Sequence, residues 1–317
     1  MKNFALIGAS GYIAPRHMKA IKDTGNSLVA TYDPNDSVGV IDSYFSSADF
    51  FTEFERFDRH IDKLRRNRTR QEVDFVSICS PNYLHDSHIR FALRSQADAI
   101  CEKPIVLNHW NIDALKEIEK DTGNKVYTIL QLRLHPAIIE LKNRVASSTF
   151  EKKYQLDLTY ITSRGKWYFN SWKGDKKKSG GIATNIGVHF FDMLGFVFGN
   201  VQENKLHYIS DAKASGYLEF ERARVRWFLS IDEQDLPAEL LLAGKRTFRS
   251  LTMDGEEIEF SDGFTELHTL VYKDILAGGG FGLEENRIAI ETVGAIRNAS
   301  PIGLTGDYHP LLKEKLK

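Results

Sequence analysis

Two short segments of this chain carry side chains suited to moving a proton: Glu102-Lys103-Pro104, and a stripe formed by Asn185, His189 and Asp192. A lysine ammonium can stabilise a developing alkoxide, and a histidine already titrates near working pH, as a general base should. Lys103 follows Asp98-Ala99-Ile100-Cys101, an apolar run that reads as a buried parallel strand. Open α/β sheets bind ligands in the crevice at the carboxyl ends of their strands. Pro104 sets φ and stops the strand at that edge. Alone, the tripeptide fits an ordinary strand end equally well, so its meaning depends on its surroundings.

Gly180-Gly181 end a loop, and the residues after them read as a helix. Asn185, His189 and Asp192 fall at i, i+4 and i+7 and share one face of it. A polar stripe on an apolar helix belongs at a cleft rather than in a core. Ser80-Pro81-Asn82-Tyr83-Leu84-His85 follows another core strand, and its NH groups and side chains come to the same sheet edge as Glu102-Lys103.

The N-terminus supplies a partner for these groups. Phe4-Ala5-Leu6-Ile7 is an apolar strand, Gly8-Ala9-Ser10-Gly11-Tyr12-Ile13-Ala14 a glycine turn, and Arg16 to Asp23 a helix. Strand, glycine turn and helix in that order are the context of a dinucleotide site. Gly8 permits the tight turn, Gly11 the close approach of a pyrophosphate, and the helix N-terminus favours the anion. The pattern departs from G-x-G-x-x-G at Ser10 and Ile13, with Ala14 a small residue one place later. Asp33, at the end of the next strand, stands where a carboxylate would bond the adenosine ribose, and it would repel a 2′-phosphate. That favours NAD over NADP; the turn Pro34-Asn35-Asp36 supports the plainer reading of a turn aspartate.

Strands and helices alternate through the first half: strands at 50–51, 73–79, 97–101 and 125–129, helices at 53–66, 83–95 and 109–121. Such βαβ units predict a parallel, doubly wound sheet. Asn67 to Glu72 reads as a solvated charged loop. The helix 136–147 links to a second half of alternating strands at 154–162, 216–221, 222–231 and 248–253. The last of these turns at Asp254-Gly255 into 256–260 as a hairpin. The fold class is therefore α/β: an N-terminal Rossmann domain over 1–132, then an α+β domain over 133–317 with a large open, mostly antiparallel sheet and a cleft at the junction.

Composition excludes some classes of function. The 317 residues carry 42 basic and 43 acidic side chains, a balance that draws in neither nucleic acid nor anionic lipid. No apolar run reaches the ~20 residues of a membrane span, and no signal-peptide pattern opens the chain. Cys79 and Cys101 sit on apolar strands, as small core residues do in a reducing compartment. No His/Cys cluster has metal-ligand spacing, and the expected location is the cytoplasm.

In order and spacing, the glycine turn, S-P-N-x-x-H, E-K-P and G-G-x-x-x-N-x-G-x-H-x-x-D resemble the Gfo/Idh/MocA oxidoreductases over essentially the whole chain. The resemblance implies a Rossmann domain, a C-terminal domain with a large open sheet that packs into dimers or tetramers, and hydride transfer between NAD(P) and a sugar or polyol. It implies cofactor contacts from Gly8, Ser10, Gly11, Tyr12, Ile13, Asp33, Ser80, Asn82, His85, Glu102, Lys103 and Gln131, with no metal. Where many relatives carry Asp four residues before the histidine, this chain has Asn185, which can hold a hydroxyl but cannot take its proton. The acid–base work falls on His189 or Lys103, which the sequence does not separate.

Further segments, Ser10 to Met18, Gln131-Leu132-Arg133-Leu134-His135-Pro136 and Thr159 to Tyr168, resemble the WlbA/WbpB-type branch of O-antigen and lipopolysaccharide biosynthesis. That branch oxidises the 3-hydroxyl of a UDP-2-acetamido-2-deoxyglucuronate, and a 2-oxo acid can reoxidise its NADH. Arg164, Lys166, Lys173 and Lys176-Lys177-Lys178 concentrate positive charge that suits a pyrophosphate and a carboxylate. Trp167, Tyr168 and Trp172 offer faces to a sugar or nicotinamide ring, unless the segment is simply a basic surface loop over buried aromatics. Arg133, Arg164, Tyr168 and Asn185 would orient the substrate, beside Lys103 and His189. The alternatives are a dehydrogenase of a free sugar or inositol, and a catalytically silent NAD-binding regulator.

Overall fold

The computed structural model describes residues 1–67, 71–149, 152–260 and 266–315. The chain forms two compact units, Met1–Gln131 with Thr265–Arg287, and Leu132–Phe264 with Ile288–Lys317. Both units are discontinuous in sequence, because Thr265–Arg287 returns to the first. The returning helix, Leu267–Leu276, buries Leu267, Val271, Tyr272 and Ile275 and packs on the helix after the glycine turn. Its apolar face needs a partner, and nothing local in its sequence says which unit supplies it. Arg68 to Arg70 of the charged loop lie outside the described residues.

In the first unit the elements are β1 (Asn3–Ile7), α1 (Ala14–Asp23), β2 (Ser27–Tyr32), β3 (Asp49–Phe51), α2 (Phe54–Arg66) and β4 (Phe75–Ile78). They continue as α3 (His85–Arg94), β5 (Asp98–Cys101), α4 (Trp110–Thr122) and β6 (Val126–Thr128). All six strands are parallel, in the order β3-β2-β1-β4-β5-β6. Near-continuous apolar runs make β1 and β4 central, because both faces of a parallel sheet are covered. The strand order reverses between β1 and β4, which opens the crevice where such sheets bind dinucleotides. Gly8 sits at that point with φ +91°, and a Cβ there would lie 2.7 Å from the Cys79 carbonyl carbon. Only glycine fits.

The second unit contains α5 (Pro136–Ser147), β7 (Tyr154–Thr162), α6 (Val188–Phe198), β8 (Val201–Ile209), β9 (Lys213–Phe220), β10 (Ala223–Ser230), β11 (Thr247–Met253) and β12 (Glu256–Glu257). Its sheet runs β12-β11-β7-β10-β9-β8 and is antiparallel except for the parallel pair β7–β10. The hairpin turns through Asp254 and Gly255, both at positive φ, but its second strand pairs only over Glu256–Glu257. β8 has no counterpart in the sequence reading: as an edge strand it is mostly polar and lacks a clear alternation. Helix α6 lies on the sheet through Phe190 against Tyr160 at 4.7 Å and Phe191 against Trp227 at 5.3 Å between ring centroids.

Candidate active site

The glycine turn and Asp33 are bound to each other. Asp33 is 6 % exposed, and its Oδ2 accepts the Ser10 backbone N–H at 2.9 Å while Oδ1 accepts that of Asn35 at 2.9 Å. Gly8 and Ala9 donate to the Tyr32 carbonyl, so the turn hangs from the end of β2. Each carboxylate oxygen keeps acceptor capacity for a ribose hydroxyl. Pro15 lies in the first turn of α1, where its missing N–H costs nothing, and the remaining N–H groups of that turn suit a pyrophosphate. Tyr12 is fully on the surface, and Gln131 is buried with an Oε1 that has no partner among the described residues. A carboxamide N–H would satisfy that acceptor. The residues present fit NAD.

The S-P-N-x-x-H loop and the E-K-P loop are clamped together by His85. Its Nδ1 lies 2.7 Å from the Pro104 carbonyl and its Nε2 2.8 Å from the Ser80 carbonyl. Burial holds its pKa below the usual histidine range, against both carbonyls and Glu102. Fully buried, His85 is engaged at both nitrogens between the two loops expected to meet the cofactor. Ser80 is likewise tied, through Oγ to His88 Nδ1 at 2.8 Å, and Asn82 is buried.

Glu102 is buried at the end of β5 and meets two histidines. His17 Nε2 on α1 and His268 Nε2 on the returning helix each lie 3.0 Å from Oε1. Burial pushes the carboxyl up, but the imidazole hydrogen bonds outweigh it and hold Glu102 well below the usual carboxylate range. Burial also keeps His17 below its usual range. Neither histidine was legible as a site residue: His17 reads as part of an amphipathic helix. The i, i+4 pair His268 and Tyr272 was the one available signal. These three ligand-type atoms lie within 4.8 Å of one another, a grouping that spacing along the chain did not show. Lys103 follows, half-buried.

In the second unit the G-G-x-x-x-N-x-G-x-H-x-x-D segment is not one continuous α-helix. Ala183–Gly187 forms a π-helical turn before α6 begins at Val188, a feature that often marks functional sites. Asn185 and His189 are half-buried, whereas Asp192 is 3 % exposed and leaves the expected stripe. Asp192 takes both donors of Arg133, Nε at 3.0 Å and Nη2 at 2.7 Å. Arg133 was expected to orient substrate. Two of its N–H groups are engaged in a buried pair with Asp192 on α6, and burial still leaves the Asp192 carboxyl above its usual range.

Asn185 Nδ2 donates to the Tyr168 hydroxyl at 2.7 Å. Burial raises the Tyr168 phenol, opposed by that hydrogen bond and by the charge of Arg164. Arg164 itself is exposed, as are Lys166 and Trp167. Lys173 stands 4.1 Å over the half-buried Trp172 ring. Tyr168 and Asn185 are hydrogen-bonded, with the charge of the exposed Arg164 acting on the Tyr168 phenol, a polar group able to hold hydroxyls and anionic groups. The helical stretch Lys176–Phe198 is long and apolar enough by composition to cross a membrane, contrary to expectation; 72 % of its apolar window is buried inside the fold, as in a core helix.

The reversed parallel sheet, the Gly8–Asp33 turn and the lysine at a strand end define an NAD-binding oxidoreductase. The chain matches family models described as "Oxidoreductase family, NAD-binding Rossmann fold" over residues 2–129 and "Oxidoreductase family, C-terminal alpha/beta domain" over 152–236. It belongs to the Gfo/Idh/MocA family. Among solved structures it is similar to the WlbA (WbpB) dehydrogenase from Thermus thermophilus, at 50 % identity over 98 % of this chain and 100 % of that one. The TM-score is 0.94 for its complex with NAD and alpha-ketoglutarate and 0.93 for that with NAD and UDP-GlcNAcA. The WlbA dehydrogenase from Bordetella pertussis, at 17 % identity over 96 % of this chain and 98 % of its own, shares the fold with TM-score 0.75. Inositol 2-dehydrogenase of Rhizobium meliloti is 26 % identical over 62 % of this chain. The chain spans about half the length of such curated relatives, 54 % in two of them.

Proposed function

We propose that this protein oxidises the 3-hydroxyl of UDP-2-acetamido-2-deoxyglucuronate to the 3-keto sugar with NAD, a cytoplasmic step towards diamino sugars of O-antigen and lipopolysaccharide. The observation that carries the reading is 50 % identity over nearly all of both chains to a dehydrogenase captured with NAD and UDP-GlcNAcA. NAD supplies the hydride acceptor. Asp33 holds the adenosine ribose, and Ser10, Gly11 and the α1 N-terminus hold the pyrophosphate. His189 or Lys103 takes the hydroxyl proton as the C3 hydride leaves, and Lys103 as an ammonium stabilises the alkoxide. Asn185 and Tyr168 orient the sugar ring and Arg164 an anionic group, with Trp172 as a ring face and Arg133, anchored by Asp192, beside them.

A 2-oxo acid is the proposed acceptor that reoxidises NADH, since the Thermus thermophilus relative also holds alpha-ketoglutarate. A homodimer or homotetramer built through the open sheet face is part of the same reading. Lys103→Ala and His189→Ala test it by single-turnover hydride transfer. Loss of the proton carrier costs about a hundred- to ten-thousand-fold. If both variants transfer hydride at nearly the unmodified rate, the assignment is wrong. The likeness to inositol 2-dehydrogenase favours a free polyol as second reading, and NADH absorbance with UDP-sugars against free sugars separates the two.

A further inference from the structure

Glu102 is held more firmly than a strand end requires. Oε1 accepts from His17 Nε2 and His268 Nε2, each at 3.0 Å, and Oε2 accepts the backbone N–H of Lys103 at 3.3 Å. The second nitrogen of His17, Nδ1, lies 2.7 Å from the Tyr272 hydroxyl, which lies 2.6 Å from Ser77 Oγ. All five side chains are buried. Proton counting along this chain has a simple solution. With Glu102 ionised, both Nε2 atoms carry their proton, Tyr272 donates to His17 Nδ1, and Ser77 donates to Tyr272.

We propose that His17 and His268 are positioning residues of the dehydrogenase: they keep Glu102 ionised and still, and through it set the backbone and the charge of Lys103. This rests on Lys103 belonging to the catalytic machinery. The titratable groups that face Glu102 are His17 from α1, His268 and Tyr272 from the returning helix, Cys79 after β4, Cys101 on β5 and His85 on α3. Lys103 comes next along the chain. A buried carboxylate stripped of a donor takes up a proton more readily. The neighbouring ammonium then loses the negative charge that favours it, and its pKa falls.

The same three ligand atoms have the composition of a two-histidine, one-carboxylate metal site. The hydrogen-bonded arrangement is the better account, because the chain through Tyr272 to Ser77 is complete without a cation. A metal-bound histidine also donates its second N–H to an acceptor, and the buried Nδ1 of His268 has no partner among the described residues.

His268→Leu, His268→Gln and Lys103→Ala, assayed with the full chain, NAD and UDP-sugar, test the proposal. His268→Leu should lower kcat about ten- to a hundred-fold through misplacement of Lys103. The KM for NAD should stay within about twofold. The limb of the pH–kcat profile that depends on Lys103 should move to lower pH. His268→Gln, whose amide can replace the Nε2 donor, should recover most of the rate and the profile. If His268→Leu does not fold, Tyr272→Phe, which frees the His17 tautomer, should shift the same limb in the same direction. The proposal is overturned by an unmoved profile in the folded variant while Lys103→Ala is inactive, by equal losses in Leu and Gln variants without a pH shift, or by stoichiometric metal in elemental analysis. Activity in Lys103→Ala would remove the assignment of Lys103 and this inference with it.

Discussion

Arg133 faces Asp192 with two parallel hydrogen bonds, Nε to Oδ2 at 3.0 Å and Nη2 to Oδ1 at 2.7 Å, and both side chains are buried. The guanidinium also lies 4.9 Å from the Phe196 ring. The pair joins the turn before α5 to the middle of α6, the helix that carries His189. Its importance lies in holding that helix, because a buried ion pair gives little net stability yet is costly to break.

Arg133→Leu should therefore destabilise the protein by about 3–5 kcal/mol in denaturant titrations at neutral pH. The loss should shrink at acid pH. Burial already raises the Asp192 carboxyl, and without Arg133 it rises further, so the lone group binds a proton in the fold more readily than in the unfolded chain. Stability of the variant relative to the unmodified protein then improves as pH falls. A pH-independent deficit would show that the charge on Asp192 is not what the variant suffers from.

Asp33 should make NAD bind much better than NADP, because a phosphate dianion beside a buried carboxylate is repelled. Asp33→Ser should narrow the gap mainly by weakening NAD. Because Asp33 Oδ2 also holds the Ser10 N–H, the variant loosens the glycine turn as well as losing ribose contacts. Fluorescence titration with both cofactors measures this; equal affinities in the unmodified protein would remove Asp33 from the ribose.

Acid should destabilise the fold well before its carboxylates titrate. Burial lowers the pKa of His88 and His309 to about 4. The rings of His88 and His309 stay neutral in the fold down to about that value but protonate near the ordinary pKa of about 6.5 in the unfolded chain. Their contribution is full above that value and is lost as pH falls towards 4. Urea unfolding at pH 7.5, 6 and 5 should give a steadily falling stability, and a constant value across that range would contradict the assignment.

The segments proposed to form the site stand out in residue types alone. Gly8 shows itself because a turn at positive φ against Cys79 excludes any Cβ. Asp33 shows itself by its distance beyond that turn, and Lys103 by following an apolar strand into a proline. The parallel sheet was legible as well, since both-face burial makes its central strands short apolar runs. β8 was not, because an edge strand needs no such run.

What the sequence by itself determined are the local matters: the parallel strands and helices of the first half, where backbone must turn, and which side chains sit at strand ends. Tertiary packing decided the partners. His17 and His268 reach Glu102 across 85 and 166 residues of chain, Arg133 pairs with Asp192, His85 joins two loops, and Thr265–Arg287 returns to the first unit. The physical reason is common to all four. Periodicity and backbone sterics act over a few residues, whereas a buried polar group takes whichever partner the completed packing brings within about 3 Å.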